Sequence, residues 1–126
     1  MSFDMYREII IDHYKNPRNF GEIKNADGQA TQDNPLCGDS VQVTYLLDKK
    51  KVGDIQFNGT GCSISLAGAS VLTENIKGKN LADVKKYTDE DFLKDLAVPI
   101  SPARRKCALL GLRALRQAMD IEQSDN

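Results

Sequence analysis

Val41-Gln42-Val43-Thr44-Tyr45-Leu46-Leu47, the charged run Asp48-Lys49-Lys50-Lys51, and Val52-Gly53-Asp54-Ile55-Gln56-Phe57-Asn58 decide the fold. Val41, Val43, Tyr45 and Leu47 recur with period two, and Ile55 and Phe57 continue that alternation beyond the lysines. Two strands joined by a short charged turn form an antiparallel pair, with one face on a core and one in water. Before them, Arg18 to Leu36 is polar and glycine-bearing and reads as mostly loop, with room for one short edge strand.

The flanking segments are helical. Residues 3 to 15 place Phe3, Tyr6, Ile10 and Tyr14 at three- and four-residue steps, with Ser2 as N-cap and Asn16-Pro17 as the stop. Ser63 to Lys77 carries Ile64, Ala67, Val71 and Ile76, and Gly78 suits a left-handed C′ position. Its small-residue stretch Ala67-Gly68-Ala69-Ser70 is expected to pack closely against the sheet. Leu81 to Lys86 reads as a short helix, and Thr88-Asp89-Glu90-Asp91 as a capped start for another through Leu96. Ser101-Pro102 opens a last helix expected to run unbroken to about Ile121, with Leu109, Leu112, Leu115 and Met119 on one face. The expected class is α+β: a small antiparallel sheet of two to three strands with helices packed on one face. Residues 1–126 fit a single domain, with a frayed tail from about residue 122.

The composition is that of a globular chain, with 40% hydrophobic and 28% charged residues. Its 17 basic and 18 acidic residues leave a formal net charge of −1, which speaks against a nucleic-acid partner. No apolar run has the length of a membrane span, and the first residues lack the pattern of a signal peptide, so the expected compartment is the cytoplasm. Thiols there stay reduced, and the three cysteines, Cys37, Cys62 and Cys107, cannot all pair within one molecule. None belongs to a C-x-x-C motif, so any joint site must be assembled by the fold.

Each cysteine falls at an element boundary: Cys37 in Asn34-Pro35-Leu36-Cys37-Gly38-Asp39, Cys62 in Gly59-Thr60-Gly61-Cys62, and Cys107 early in the last helix. Two of them stand near helix N-termini, where unsatisfied N–H groups favour the thiolate, the form that ligates metals and attacks electrophiles. Asp39 shares a face with Cys37 if the segment is extended, and is a candidate fourth ligand. Three thiolates and a carboxylate can close a zinc site or hold an iron–sulfur cluster. Such a site keeps excess negative charge, and Arg104 and Lys106, with Arg105 between them, are candidates to balance it. The bland alternatives are buried apolar cysteines, a turn role for Asp39, a solvated basic face, and a packing role for His13.

Four segments in order resemble the U-type iron–sulfur assembly proteins, the IscU/SufU/NifU N-terminal domain family: His13-Tyr14-Lys15-Asn16-Pro17-Arg18-Asn19, Asn34 to Asp39, Gly59 to Ser65 continuing to Ala69-Ser70 and Thr73-Glu74, and Ser101 to Ala108. The resemblance implies a SufE/IscU-like sheet-and-helix fold, sulfur delivery from a cysteine desulfurase, and Cys37, Asp39, Cys62 and Cys107 as ligands. It implies one of two roles: a scaffold that builds a [2Fe–2S] cluster and passes it to recipient apoproteins, or a zinc-dependent sulfurtransferase that accepts a persulfide on Cys37. Lys106 stands where the scaffold branch has histidine, and Ile100-Ser101-Pro102-Ala103-Arg104 departs from that branch's Hsp70-recognition motif, which speaks against docking to that chaperone. Lys106 and Cys62-Ser63-Ile64-Ser65 are similar to the sulfurtransferase branch, but the short interval between Cys62 and Cys107 lacks that branch's extra segment. Scaffolding is the leading expectation. A structural-zinc interaction module and an enzyme using one low-pKa cysteine are the rivals from other classes.

Overall fold

The computed structural model describes residues 3–36 and 38–121, with side chains from Glu8 onward. The order is α1 (Phe3–Lys15), β1 (Gly28–Asn34), β2 (Asp39–Asp48), β3 (Lys51–Thr60), α2 (Ser63–Ile76), α3 (Leu81–Lys86), α4 (Asp89–Leu96), a 3-10 turn (Pro102–Arg104), α5 (Arg105–Ala108) and α6 (Leu110–Ala118). This is the α+β arrangement expected from the sequence. No helix among the described residues is long and apolar enough to cross a membrane.

The strands form one antiparallel sheet in the order β1-β2-β3, with Val43 opposite Phe57 and Tyr45 opposite Ile55. Lys49 and Lys50 turn the chain with φ of 52° and 74°, the left-handed pair that a tight hairpin of the right twist needs. The expected edge strand is present as β1, and its pairing runs from Gly28 opposite Tyr45 to Asn34 opposite Asp39. Gly28 is required by contact: a Cβ there would stand 2.4 Å from the Tyr45 ring. The free side of β3 is covered by the segment after α1, where the Phe57 N–H donates to Asn19 and the Gly21 N–H donates to Phe57.

Helices α2 and α6 cover one face of the sheet, and Val41, Val43, Ile55, Phe57, Leu72, Ile76, Leu112 and Leu115 fuse into one core between them. Thr88 and Asp91 form the expected capping box on α4. That helix is tied to α6 by a buried ion pair at 2.6 Å between Asp89 and Arg116.

Two readings need correction, and one needs extending. Tyr14 is not on the packing face of α1; it is 45% exposed, and the contact to α2 runs through His13, whose Nδ1 lies 2.8 Å from Ser70 Oγ. The small-residue stretch of α2 also admits α5 and α6: a Cβ on Gly68 would lie 2.9 Å from the Ala108 carbonyl oxygen, and one on Gly111 would lie 3.1 Å from Ala69 Cβ. The last helix is not continuous. It begins as a 3-10 turn behind Pro102 and is interrupted at Leu109 (φ −90°, ψ 0°), across which the helical bonds from the Leu109 N–H to Arg105 and from the Arg113 N–H to Leu109 persist. The break lets α5 and α6 each follow α2 at close range. Ser2 and the tail from residue 122 lie outside the described residues.

Two outcomes follow from this packing. Gly68→Ala wedges α2 away from the turn carrying Cys107 and should cost about 1–3 kcal/mol in urea denaturation; unchanged stability would contradict the contact. Burial first, then Arg18, holds the His13 pKa below its ordinary 6.5, against the opposing pull of Glu74 and Asp12. The folded state therefore resists protonation. Its contribution is complete above pH 6.5 and declines as pH falls from 6.5 towards the lower folded value. His13→Asn should flatten the pH dependence of the melting temperature in that window.

Candidate metal centre

Asp39 is the first residue of β2 and is 2% exposed. It follows Gly38, whose φ of 73° is left-handed and whose N–H closes on the Asn34 carbonyl at 2.9 Å. Glycine takes that conformation with no Cβ penalty. Cys37, the expected sulfur acceptor and ligand, lies outside the described residues; its chain neighbours are this Gly38 and Leu36, which is 86% exposed.

Cys62 is the N-cap residue of α2, with extended backbone (φ −75°, ψ 165°) and no side-chain cap bond, so its sulfur is not engaged with the helix end. Its N–H donates to Asp39 Oδ1 at 3.0 Å, and its thiol donates to Oδ2 at 3.4 Å. Gly61 makes this approach possible, because a Cβ there would stand 2.7 Å from Asp39 Oδ1. Cys107, fully buried in α5, receives a hydrogen bond from Asn34 Nδ2 at 3.6 Å.

The fold thus brings together three residues from separate elements. One ligand atom each from Asp39, Cys62 and Cys107 lies within 4.8 Å of the other two. Ligands of one tetrahedral zinc stand about 3.5–3.8 Å apart, given Zn–S near 2.3 Å and Zn–O near 2.0 Å. Small side-chain rotations therefore close the set, and two soft sulfurs beside a carboxylate suit a thiophilic cation. Burial raises the Asp39 carboxyl, but hydrogen bonds from Ser65, from the Cys62 N–H and from both thiols outweigh it. They hold its pKa below the usual carboxylate value. Asp39 is ionised at neutral pH, ready to face a cation.

The other candidates fall elsewhere. His13 bonds Ser70 and stands apart from the thiol–carboxylate group, in the packing role. Arg105 pairs with Glu90 at 2.5 Å. Arg104 and Lys106 are exposed, and Lys106 lines a cavity of about 210 Å³ with Asn34, Pro35, Leu36 and Arg113, on the flank of the hairpin that contains Cys37. Sequence reasoning missed two supporting residues, Asn34 and Ser65. Ser65 stands three positions after Cys62 and so shares its helix face, the one signal of its place that the sequence carries.

Residues 5–123 match the family model of the NifU-like N-terminal domain. The chain belongs to that family. A zinc-dependent sulfurtransferase, SufU of Bacillus subtilis, is 40% identical over 97% of this chain and 94% of its own length. An iron–sulfur cluster assembly scaffold protein IscU of Archaeoglobus fulgidus is 35% identical over 91% and 74%. A crystal structure from Fervidobacterium islandicum AW-1, described as a scaffold protein for the SUF system, superposes with a TM-score of 0.78 at 30% identity, covering 94% of this chain and 99% of that one. The alignment with SufU spans 139 positions against 126 residues here, so that relative carries residues this NifU-like domain lacks.

In metal-free protein, half-buried Cys62 should alkylate faster than buried Cys107, and added zinc should protect both. Protection of only one thiol, read by mass spectrometry, would contradict a shared site.

Proposed function

We propose that this NifU-like domain is an iron–sulfur cluster assembly protein. It receives sulfur from a cysteine desulfurase, holds a nascent [2Fe–2S] cluster as cargo on Cys37, Asp39, Cys62 and Cys107, and passes it to recipient apoproteins. The observation that carries this reading is the convergence of Asp39, Cys62 and Cys107, remote in sequence, within 4.8 Å.

The residues divide the work. The Cys37 thiolate attacks the outer sulfur of the donor's persulfide. A new S–S bond forms on Cys37, the old one breaks, and the donor's cysteine leaves as thiolate. Leu36 and Gly38, on either side of Cys37, support its access, one by exposure and the other by its left-handed turn. The Asn34 amide donates to the Cys107 sulfur, a bond suited to a sulfur that acts as a ligand. Asp39 supplies the harder, weaker donor of the set, which favours release of the cargo. Lys106, and Arg104 beside it, offset the excess negative charge.

A second reading, the zinc-dependent sulfurtransferase, is favoured by the 40% identity to a protein of that name and by Lys106 immediately before Cys107. There the same side chains hold zinc, which when bound keeps thiols deprotonated at neutral pH. Residues 62–107 leave no room for the extra segment of that branch, which keeps the scaffold reading first.

Anaerobic purification, zinc, iron and sulfide analysis, and a desulfurase assay test the proposal. A visible-absorbing cluster that moves to an apo-ferredoxin is expected, and Cys37→Ser should abolish sulfur uptake. Stoichiometric zinc with desulfurase stimulation and no transferable cluster would select the second reading. Asp39→Ala that weakens metal retention while wild-type protein has no effect on desulfurase turnover would contradict both and leave a structural-zinc module.

A further inference from the structure

Ser65 lies on the first turn of α2 and is fully buried. Its hydroxyl donates to Asp39 Oδ2 at 2.6 Å and lies 3.4 Å from Cys62 Sγ. The other carboxylate oxygen is fixed independently: Oδ1 accepts the Cys62 N–H at 3.0 Å and rests against the bare backbone of Gly61. A carboxylate oxygen has two lone pairs. With one lone pair of Oδ2 on the Ser65 hydroxyl, the second is turned towards the Cys62 sulfur, the side on which the donor atoms of the cluster converge.

Oδ2 has two donors, the Ser65 hydroxyl at 2.6 Å and the Cys62 thiol at 3.4 Å, and the shorter bond is the one that fixes the oxygen. A sulfur that turns to a cation no longer donates to the carboxylate, which leaves the Ser65 hydroxyl on Oδ2.

Resting on the metal-site reading above, we infer that Ser65 is a positioning residue: its hydroxyl holds the Asp39 carboxylate in the ligating orientation and so sets how tightly the site retains a thiophilic divalent cation. Ser65 is not itself a ligand and acts only through Asp39. Losing an outer hydrogen bond of this kind costs about 10–100-fold in metal affinity.

The test is a double-mutant cycle read with cobalt(II), using chelator competition for affinity and the d–d absorption bands for geometry, on the full chain with and without Ser65→Ala and Asp39→Ala. Ser65→Ala should weaken cobalt binding by about 10–100-fold and reduce the tetrahedral band intensity. In the Asp39→Ala background the same change should do almost nothing, because the group it positions is gone. Ser65→Thr keeps the hydroxyl and should retain most of the affinity, which separates the bond from packing. Equal losses in both backgrounds, or wild-type affinity in Ser65→Ala, would overturn the role of Ser65 while leaving the metal site intact. No tetrahedral cobalt signal from the wild-type protein would overturn the site reading as well.

Discussion

A carboxylate taken out of water at the junction of three elements is the constraint around which the molecule is arranged. Burying such a group without partners costs several kcal/mol, so the chain must deliver donors to it. It does so from one short stretch: the Cys62 N–H reaches Oδ1, and the Ser65 hydroxyl reaches Oδ2. This requirement fixes where β2 begins, why Gly61 carries no side chain, and where α2 starts. The sulfurs of Cys62 and Cys107 meet the carboxylate because these backbone positions are already fixed.

Helix α2 transmits that constraint to the remaining structure. On one side Gly68 and Ala69 admit α5 and α6 to near contact, which brings Cys107 to the site. On another, Ser70 accepts the Arg18 N–H and meets His13, while Thr73 accepts a hydrogen bond from Asn19. The N-terminal signature His13 to Asn19 and the α2 residues Ser70 and Thr73 are therefore halves of one contact. Their job is to dock α1 and the following turn, whose backbone then covers the edge of β3. Sequence features that accompany the cysteines in this family need not touch the ligands to serve the site.

How much was legible in the sequence depended on whether a side-chain pattern or a backbone contact set the outcome. Strands β2 and β3 were readable because alternating apolar residues face a helix layer, and α4 was readable because Thr88 and Asp91 announce its cap. The polar strand β1 was visible only as an allowance for an edge strand, since it joins by backbone pairing and has little apolar signal. The break at Leu109 had no local marker: Leu109, Leu112 and Leu115 keep helical spacing across it, and the residues on either side, Ala108 and Gly111, meet Gly68 and Ala69 of α2, remote in sequence. Tyr14 was misplaced because a polar His13 took the packing position through one hydrogen bond. Three of the four proposed ligands could be followed to a common point from boundary positions alone. The supporting hydroxyl of Ser65 could not be ranked above other serines until the carboxylate it serves was located.

The convergence of sulfur and carboxylate on one ion is most directly tested by X-ray absorption at the metal edge of zinc-loaded protein. Ligation by Cys37, Asp39, Cys62 and Cys107 gives three sulfur scatterers near 2.3 Å and one oxygen near 2.0 Å, falling to two sulfurs in Cys62→Ser. A shell of only nitrogen and oxygen, or a sulfur count that Cys62→Ser leaves unchanged, would contradict it.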